Sequence, residues 1–195
     1  MKKYLVIGNP IEHSLSPKLH NYWFEKNNMD AHYERRKIDK SEIQETINEI
    51  KDNKLDGINV TVPFKSDVIP FLDVLSEESQ ITKSVNTIYK QDNKIIGHNT
   101  DILGFELSLK ETQFVFENKT IFILGAGGVV PSIIYALEKL GVSKIIVSNR
   151  TKQKTKNLKK NFSNIRIVDW GDQPEFDIII NAVSYTHLRA HETLA

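Results

Sequence analysis

The chain of 195 residues is long enough for one large domain or two small ones. Its hydrophobic content of 39%, charged content of 26% and net charge of +1 give no electrostatic reason for nucleic acid or a membrane as the main partner. The absence of cysteine excludes disulfide bonds, thiolate catalysis and cysteine-based zinc sites.

The first predicted strand, Tyr4–Ile7, ends at the turn signal Gly8-Asn9-Pro10. No signal-peptide core precedes this strand, and no apolar run approaches the roughly 18 residues of a membrane-spanning helix. We therefore expect a cytoplasmic enzyme.

Two serines follow the first strand, on either side of Leu15. Ser16 and Pro17 are typical of the N-cap and first residue of a helix, here predicted over Lys18–Asn27. Capping is one interpretation of Ser16, but it does not explain Ser14. The alternative is that both hydroxyls face a polyol ligand.

The next predicted elements are a strand and an amphipathic helix. The strand covers His32–Ile38. Ser41 begins the helix, Gln44 completes a capping-box pattern, and three isoleucines share one face: Ile43, Ile47 and Ile50.

A third strand, predicted to end at Pro63, places Asn59 and Thr61 on the same face. Lys65 then lies at the carboxyl end of this strand, where open α/β sheets bind ligands. Spacing alone also permits an ordinary surface lysine.

A short helix is predicted over residues 76–83, followed by a hairpin around the turn Asp92-Asn93. Asp101 precedes a helix over Leu103–Leu109, where it is either a charge favoured by the helix dipole or part of a site. The change in composition near residue 101 predicts a domain boundary.

The pattern at residues 120–137 predicts an anion site. A buried strand, Thr120–Leu124, leads into Gly125-Ala126-Gly127-Gly128 and then into a helix with Pro131 in its first turn. A strand, a glycine turn and a helix N-terminus form a site suited to a pyrophosphate.

A second strand, Lys144–Ser148, completes a βαβ unit. Its tip reads Asn149-Arg150-Thr151, with Lys152 and Lys154 close behind, and it lacks the carboxylate that would hold the ribose of NAD. Because a guanidinium binds a phosphate bidentately, this tip favours NADP over NAD. The alternative is an exposed basic helix start.

Two more strands are predicted, one over Arg166–Val168 and a buried one over Phe176–Ala182. Such a sheet would need further strands to cover its edge.

Six short motifs, in this order, resemble those of the shikimate dehydrogenases, NADP-dependent reductases of aromatic amino-acid (chorismate) biosynthesis. They are Ser14-Leu15-Ser16-Pro17, the stretch from Asn59 to Lys65, Val85-Asn86-Thr87, Asn99-Thr100-Asp101, Gly125-Ala126-Gly127-Gly128 and Asn149-Arg150-Thr151. The resemblance covers about Tyr4 to Ala182.

The resemblance implies an α/β protein with a substrate domain over residues 1–100 and an incomplete Rossmann-type NADP domain over 101–182, with the reaction in the cleft between them. It implies that Lys65 and Asp101 are catalytic and that shikimate is bound by both, together with Ser14, Ser16, Asn59, Thr61 and Asn86. The implied cofactor-binding residues are Gly125, Ala126, Gly127, Gly128, Val129, Asn149, Arg150, Thr151 and Lys154. It also points to Glu77, which as an alternative is a solvent-facing helix charge.

Residues 183–195 depart from the family, and we interpret them as an unrelated tail on a truncated chain. Two other functions stay open: an NAD-preferring quinate/shikimate dehydrogenase, and a non-catalytic ligand-binding fragment. We expect no metal site, although His187, His191 and Glu192 superficially resemble a metal pair. The sequence leaves the oligomeric state open, with a homodimer as the candidate assembly.

Overall fold

A computed structural model describes residues 1–183, which contain both helices and strands. The chain divides into two compact units between Phe105 and Glu106. The elements up to this division are β1 (Lys2–Gly8), α1 (Ser16–Lys26), β2 (Ala31–Lys37), α2 (Ile43–Lys51), β3 (Gly57–Val60), β4 (Val74–Leu75), α3 (Glu77–Thr82), β5 (Thr87–Gln91), β6 (Lys94–His98) and α4 (Asp101–Glu111), which runs across it.

The first unit is built on a six-stranded mixed sheet with the order β2-β1-β3-β5-β6-β4. Strands β1, β2 and β3 are parallel, whereas β5 is antiparallel to both β3 and β6. The three isoleucines of α2 are buried against the sheet, as their spacing predicts. The hairpin is also confirmed, and Asp92 and Asn93 both adopt the positive φ that its turn requires.

Two of the predicted helix starts in this unit are shifted. Helix α1 begins at Ser16 itself, so the prediction of Ser16 as N-cap is wrong, and the hydroxyl of Ser14 accepts the Ser16 backbone N–H at 3.3 Å. The capping pair before α2 is Asp39 and Glu42, where the Glu42 carboxylate accepts the Asp39 N–H at 2.6 Å. In each case a residue two positions before the predicted serine, Ser14 or Asp39, takes part in the local hydrogen bond.

The second unit contains a parallel four-stranded sheet with the order β10-β7-β8-β9. Its elements are β7 (Thr120–Leu124), α5 (Val130–Lys139), β8 (Lys144–Ser148), α6 (Lys152–Asn161), β9 (Arg166–Val168) and β10 (Ile178–Asn181). Strands β7 and β8 have the predicted bounds, which confirms the βαβ unit. No helix within residues 1–183 is long and apolar enough to cross a membrane.

The prediction of a fully buried last strand is wrong. Strand β10 is at the edge of the described sheet and pairs with β7 alone. Its burial alternates, and 48% of Ile179 is exposed. An apolar run alone does not distinguish a central strand from an edge strand.

Candidate active site

The sheet topology of the first unit brings four chain segments together at the carboxyl ends of β1, β3 and β6, which we call the carboxyl edge of the sheet. Strands β1 and β3 are parallel, and β6 runs in the same direction because both it and β3 are antiparallel to β5. Asn59, Thr87 and His98 are in register across β3, β5 and β6. The segments after β1, β3 and β6 and the segment before β5 therefore meet at this edge, and they carry the predicted substrate residues.

Lys65 and Asp101 form an ion pair at this edge. The Lys65 Nζ lies 2.6 Å from Asp101 Oδ2, and the two side chains are only 14% and 25% exposed. Lys65 is thus not an ordinary surface lysine. Asp101 is the first residue of α4, so the helix dipole also favours its charge.

Asn86 and Asn99 hold the Asp101 carboxylate and backbone. Asn86 Nδ2 donates to Asp101 Oδ1 at 2.8 Å, and the side-chain oxygen of Asn99 accepts the Asp101 N–H at 3.0 Å. Both asparagines are buried. A largely desolvated ammonium with a fixed carboxylate can polarise a carbonyl oxygen and exchange a proton with it.

Three of the predicted substrate residues, Ser14, Ser16 and Thr61, line one cavity of about 260 Å³. The other lining residues are Val6, Pro10, Ile11 and His13. The serines straddle Leu15, as the sequence indicates, and the cavity offers hydroxyl groups on an otherwise largely apolar surface. Such a lining suits a small polyhydroxylated ligand.

Asn59 is engaged within the protein. Its side-chain oxygen accepts the Tyr33 hydroxyl at 2.7 Å, and its Nδ2 donates to the Asn86 carbonyl and the Thr87 hydroxyl, each at 3.1 Å. Burial raises the pKa of Tyr33, which keeps the phenol protonated as a donor. Sequence reasoning missed Tyr33, although it is the only buried residue of strand β2, whose other residues are mostly charged.

The glycine turn of the second unit leads from β7 into α5. Gly125 has a φ of +111°, and a Cβ there would lie 2.9 Å from the Ala182 carbonyl, so this position requires glycine. A Cβ on Gly127 would meet no atom within 4 Å. Gly127 and the next two residues, Gly128 and Val129, are exposed just before the helix begins.

Asn149 ties this turn to the tip of β8. Its side-chain oxygen accepts the Ala126 N–H at 3.1 Å, and its Nδ2 donates to the Thr151 carbonyl at 3.0 Å. The exposed backbone of Gly127, Gly128 and Val129, just before α5 begins, leaves space for the pyrophosphate of a dinucleotide at the helix N-terminus.

Arg150, Thr151 and Lys154 are exposed beside this turn. Lys152 pairs with Asp169 at 2.8 Å, and this contact raises the pKa of the lysine. Arg150 has no ion-pair partner within residues 1–183, so its guanidinium is available to a phosphate. The residues at the tip of β8 thus fit a cofactor with a 2′-phosphate.

Two further predictions concern Glu77 and the C-terminal tail. Glu77 is exposed in the first turn of α3, in the first unit, and its position leaves both of its interpretations open. His187, His191 and Glu192, like most of the tail that we set apart, lie outside the described residues.

Two family models match the chain. The model described as the shikimate dehydrogenase substrate binding domain matches residues 6–88, and the one described as shikimate / quinate 5-dehydrogenase matches residues 106–194. The second match includes residues that we interpreted as an unrelated tail, so that interpretation stays a prediction.

Curated relatives are named shikimate dehydrogenase (NADP(+)). The protein from Pelagibacter ubique is 59% identical over 183 residues, which are 94% of this chain and 69% of the relative. The protein from Caldicellulosiruptor saccharolyticus is 39% identical, over 94% of this chain and 68% of its own length. The chain thus spans about two thirds of these relatives.

Solved structures agree with the sequence matches. Shikimate dehydrogenase from Aquifex aeolicus has a TM-score of 0.86 at 37% identity, covering 94% of this chain and 69% of that one. The Thermus thermophilus enzyme in complex with NADP(H) and shikimate has a TM-score of 0.82 at 30% identity, with the same coverage. With two family models matched in order and a relative that is 59% identical, the chain belongs to the shikimate dehydrogenase family.

Proposed function

We propose that this chain catalyses the reversible, NADP-dependent reduction of 3-dehydroshikimate to shikimate, and that Lys65 and Asp101 are its catalytic residues. The observation that carries the proposal is the 2.6 Å contact between these two mostly buried side chains at the carboxyl edge of the sheet. The names of the relatives support the same reaction.

The chemistry of the pair suits this reaction. NADP supplies the hydride-carrying nicotinamide when it is bound. As the C3 carbonyl of 3-dehydroshikimate is reduced, negative charge develops on its oxygen, and the Lys65 ammonium stabilises that charge and donates a proton. Asp101 orients the ammonium and accepts a hydrogen bond from a substrate hydroxyl. In the oxidative direction, neutral Lys65 accepts the proton of the C3 hydroxyl.

The remaining site residues have supporting roles in this proposal. Ser14, Ser16 and Thr61 offer hydroxyls to shikimate in the cavity that they line, and Asn86 binds substrate beside Asp101. The glycine turn and Val129 hold the pyrophosphate, and Arg150, Thr151 and Lys154 bind the 2′-phosphate, with Asn149 fixing the turn between them.

The proposed domains separate substrate binding from cofactor binding. Residues 1–100 bind shikimate and residues 101–182 bind NADP, which the two sheets and the two family-model matches support. We also propose that Glu77 contacts the cofactor, that the protein is cytoplasmic and that it forms a homodimer. Sedimentation velocity would test the homodimer.

Steady-state assays of the whole chain with shikimate and either NADP or NAD test this function. We expect NADPH formation with a clear preference for NADP. A preference for NAD with activity on quinate would instead support a quinate/shikimate dehydrogenase, and binding of shikimate without turnover would support a non-catalytic fragment.

A further inference from the structure

Side-chain hydrogen bonds connect Tyr33 on the edge strand β2 to the Lys65–Asp101 pair. The Tyr33 hydroxyl contacts Asn59, Asn59 contacts Thr87, and the Thr87 hydroxyl lies 3.0 Å from the Asn86 side-chain oxygen. Asn86 then contacts Asp101 at 2.8 Å. The four side chains before Asp101 come from β2, β3, the start of β5 and the segment just before β5.

Backbone groups fix the orientation of both asparagine amides in this network. The Asn86 side-chain oxygen accepts the backbone N–H of Thr100 at 3.0 Å, so its Nδ2 must face Asp101. Asn59 Nδ2 donates to the backbone carbonyl of Asn86 at 3.1 Å, so its oxygen must face Tyr33. Because a backbone N–H only donates and a carbonyl only accepts, neither amide can be flipped without losing a hydrogen bond.

These orientations also fix the proton of the Thr87 hydroxyl. That hydroxyl accepts from Asn59 Nδ2, and its single proton is then donated to the Asn86 side-chain oxygen. Both N–H groups of Asn59 are used within the protein, one by the Asn86 carbonyl and one by Thr87. Asn59 therefore has no N–H left for a substrate hydroxyl.

We propose that Tyr33, Asn59 and Thr87 are positioning residues that hold the Asn86 amide against Asp101. The inference rests on the proposed function of the Lys65–Asp101 pair, and it gives Asn59 a supporting role. Tyr33 is 3% exposed and Asn86 is 9% exposed, so water has little access to replace a lost partner. Loss of the Thr87 hydroxyl removes one donor to the Asn86 side-chain oxygen and leaves Thr100 to hold that oxygen. The Asn86 amide then moves more freely and fixes the Asp101 carboxylate less firmly.

The test uses Thr87→Val, which removes the hydroxyl at nearly constant volume, and Thr87→Ser, which retains it. The matched control is Thr46→Val, because Thr46 is a buried threonine of the first unit. Within the described residues its hydroxyl bonds to the Glu42 carbonyl and to no member of this network. NMR measures hydrogen exchange of the Asn86 side-chain amide in the whole chain. Steady-state kinetics give kcat and both KM values.

We expect Thr87→Val to accelerate exchange of the Asn86 amide about tenfold or more and to lower kcat by about tenfold, with the KM for NADP unchanged. Thr87→Ser should restore both quantities, and Thr46→Val should change neither. Tyr33→Phe removes the other end of the network and should act in the same direction if Thr87→Val does not fold.

Unchanged exchange in Thr87→Val would overturn the inference, as would faster exchange with an unchanged kcat. If the unsubstituted chain turns over no shikimate, the proposed function fails. The exchange measurement then still decides whether Thr87 orients Asn86.

Discussion

Arg150 is the residue on which the cofactor preference depends. It is exposed at the tip of β8 and has no ion-pair partner within residues 1–183, whereas neighbouring Lys152 is held by Asp169. A guanidinium in this position can bind the 2′-phosphate that only NADP carries.

Arg150→Ala should therefore weaken NADP binding by about tenfold or more and leave NAD binding almost unchanged, since a charge-assisted contact is worth about 1.5–3 kcal/mol. Fluorescence titration with both cofactors measures this difference. Lys152→Ala is the matched control, because its ammonium is already paired. Equal losses for NADP and NAD in the Arg150 variant would show that Arg150 does not contact the 2′-phosphate.

The partial burial of His20 makes the stability of the fold depend on pH. Its ring stacks on that of Tyr33 with a centroid separation of 4.3 Å and an interplanar angle of 8°, and partial burial lowers its pKa. The unfolded chain therefore binds a proton at this position more readily than the folded chain does, and folding loses stability as the pH falls through the unfolded pKa of about 6.5.

His20→Phe keeps the ring stacking and removes this titration. We expect the free energy of unfolding to fall less steeply between about pH 7 and pH 5 in the variant than in the parent chain. Urea denaturation at a series of pH values measures both slopes. Since the ring is partly in water, the difference is small, and a steeper slope in the variant would contradict the burial argument.

The glycine turn between β7 and α5 shows how one element can serve both stability and binding. Gly125→Ala places a methyl group 2.9 Å from the Ala182 carbonyl at a φ of +111°, so it should destabilise the second unit by about 1–3 kcal/mol. Gly127→Ala meets no atom within 4 Å and should leave stability within about 0.5 kcal/mol of the parent.

NADP affinity should separate these variants in another way. The methyl group of Gly127→Ala occupies space that we assign to the pyrophosphate, so this variant should bind NADP at least several-fold more weakly despite normal stability. Denaturant unfolding and cofactor titration together test the pair. A stable Gly127→Ala variant with unchanged affinity would place the pyrophosphate elsewhere.

Local patterns predict the elements of this chain well and their ends less well. Strands β7 and β8 have the predicted bounds because their apolar runs end abruptly at glycine and at polar residues. The starts of α1 and α2 are shifted because Ser14 and Asp39 compete with the serines that the sequence patterns favour. The exposure of β10 depends on its position at the sheet edge, which its own residues do not reveal.

The positioning network is the part of the site that the sequence could not predict. Lys65 and Asp101 are recognised from their positions at element ends and from the family motifs. Tyr33, Asn59 and Thr87 meet only because β2, β1, β3 and β5 are neighbours in one sheet with a particular register. That register is a property of the folded sheet and not of any short stretch of chain.

At the scale of the whole molecule, the chain consists of two α/β units with distinct sheets. The mixed sheet of the first gathers the Lys65–Asp101 pair and the hydroxyl-lined cavity. The parallel sheet of the second presents a glycine turn and the exposed Arg150, which has no ion-pair partner among residues 1–183. An NADP-linked dehydrogenase needs both, because the substrate and the dinucleotide each require a site.

The turnover of Lys65→Ala compared with the unsubstituted chain, measured as NADPH formation from shikimate and NADP, tests the central claim most directly. Lys40→Ala is the control, because Lys40 makes an ion pair of the same 2.6 Å length with Asp67 but is 73% exposed. We predict that kcat falls by at least about a hundredfold in Lys65→Ala, as expected for loss of a general acid–base group, with little change in the KM for NADP. A Lys65→Ala chain that forms NADPH as fast as the Lys40→Ala control would contradict the assignment of the Lys65–Asp101 pair as the catalytic centre.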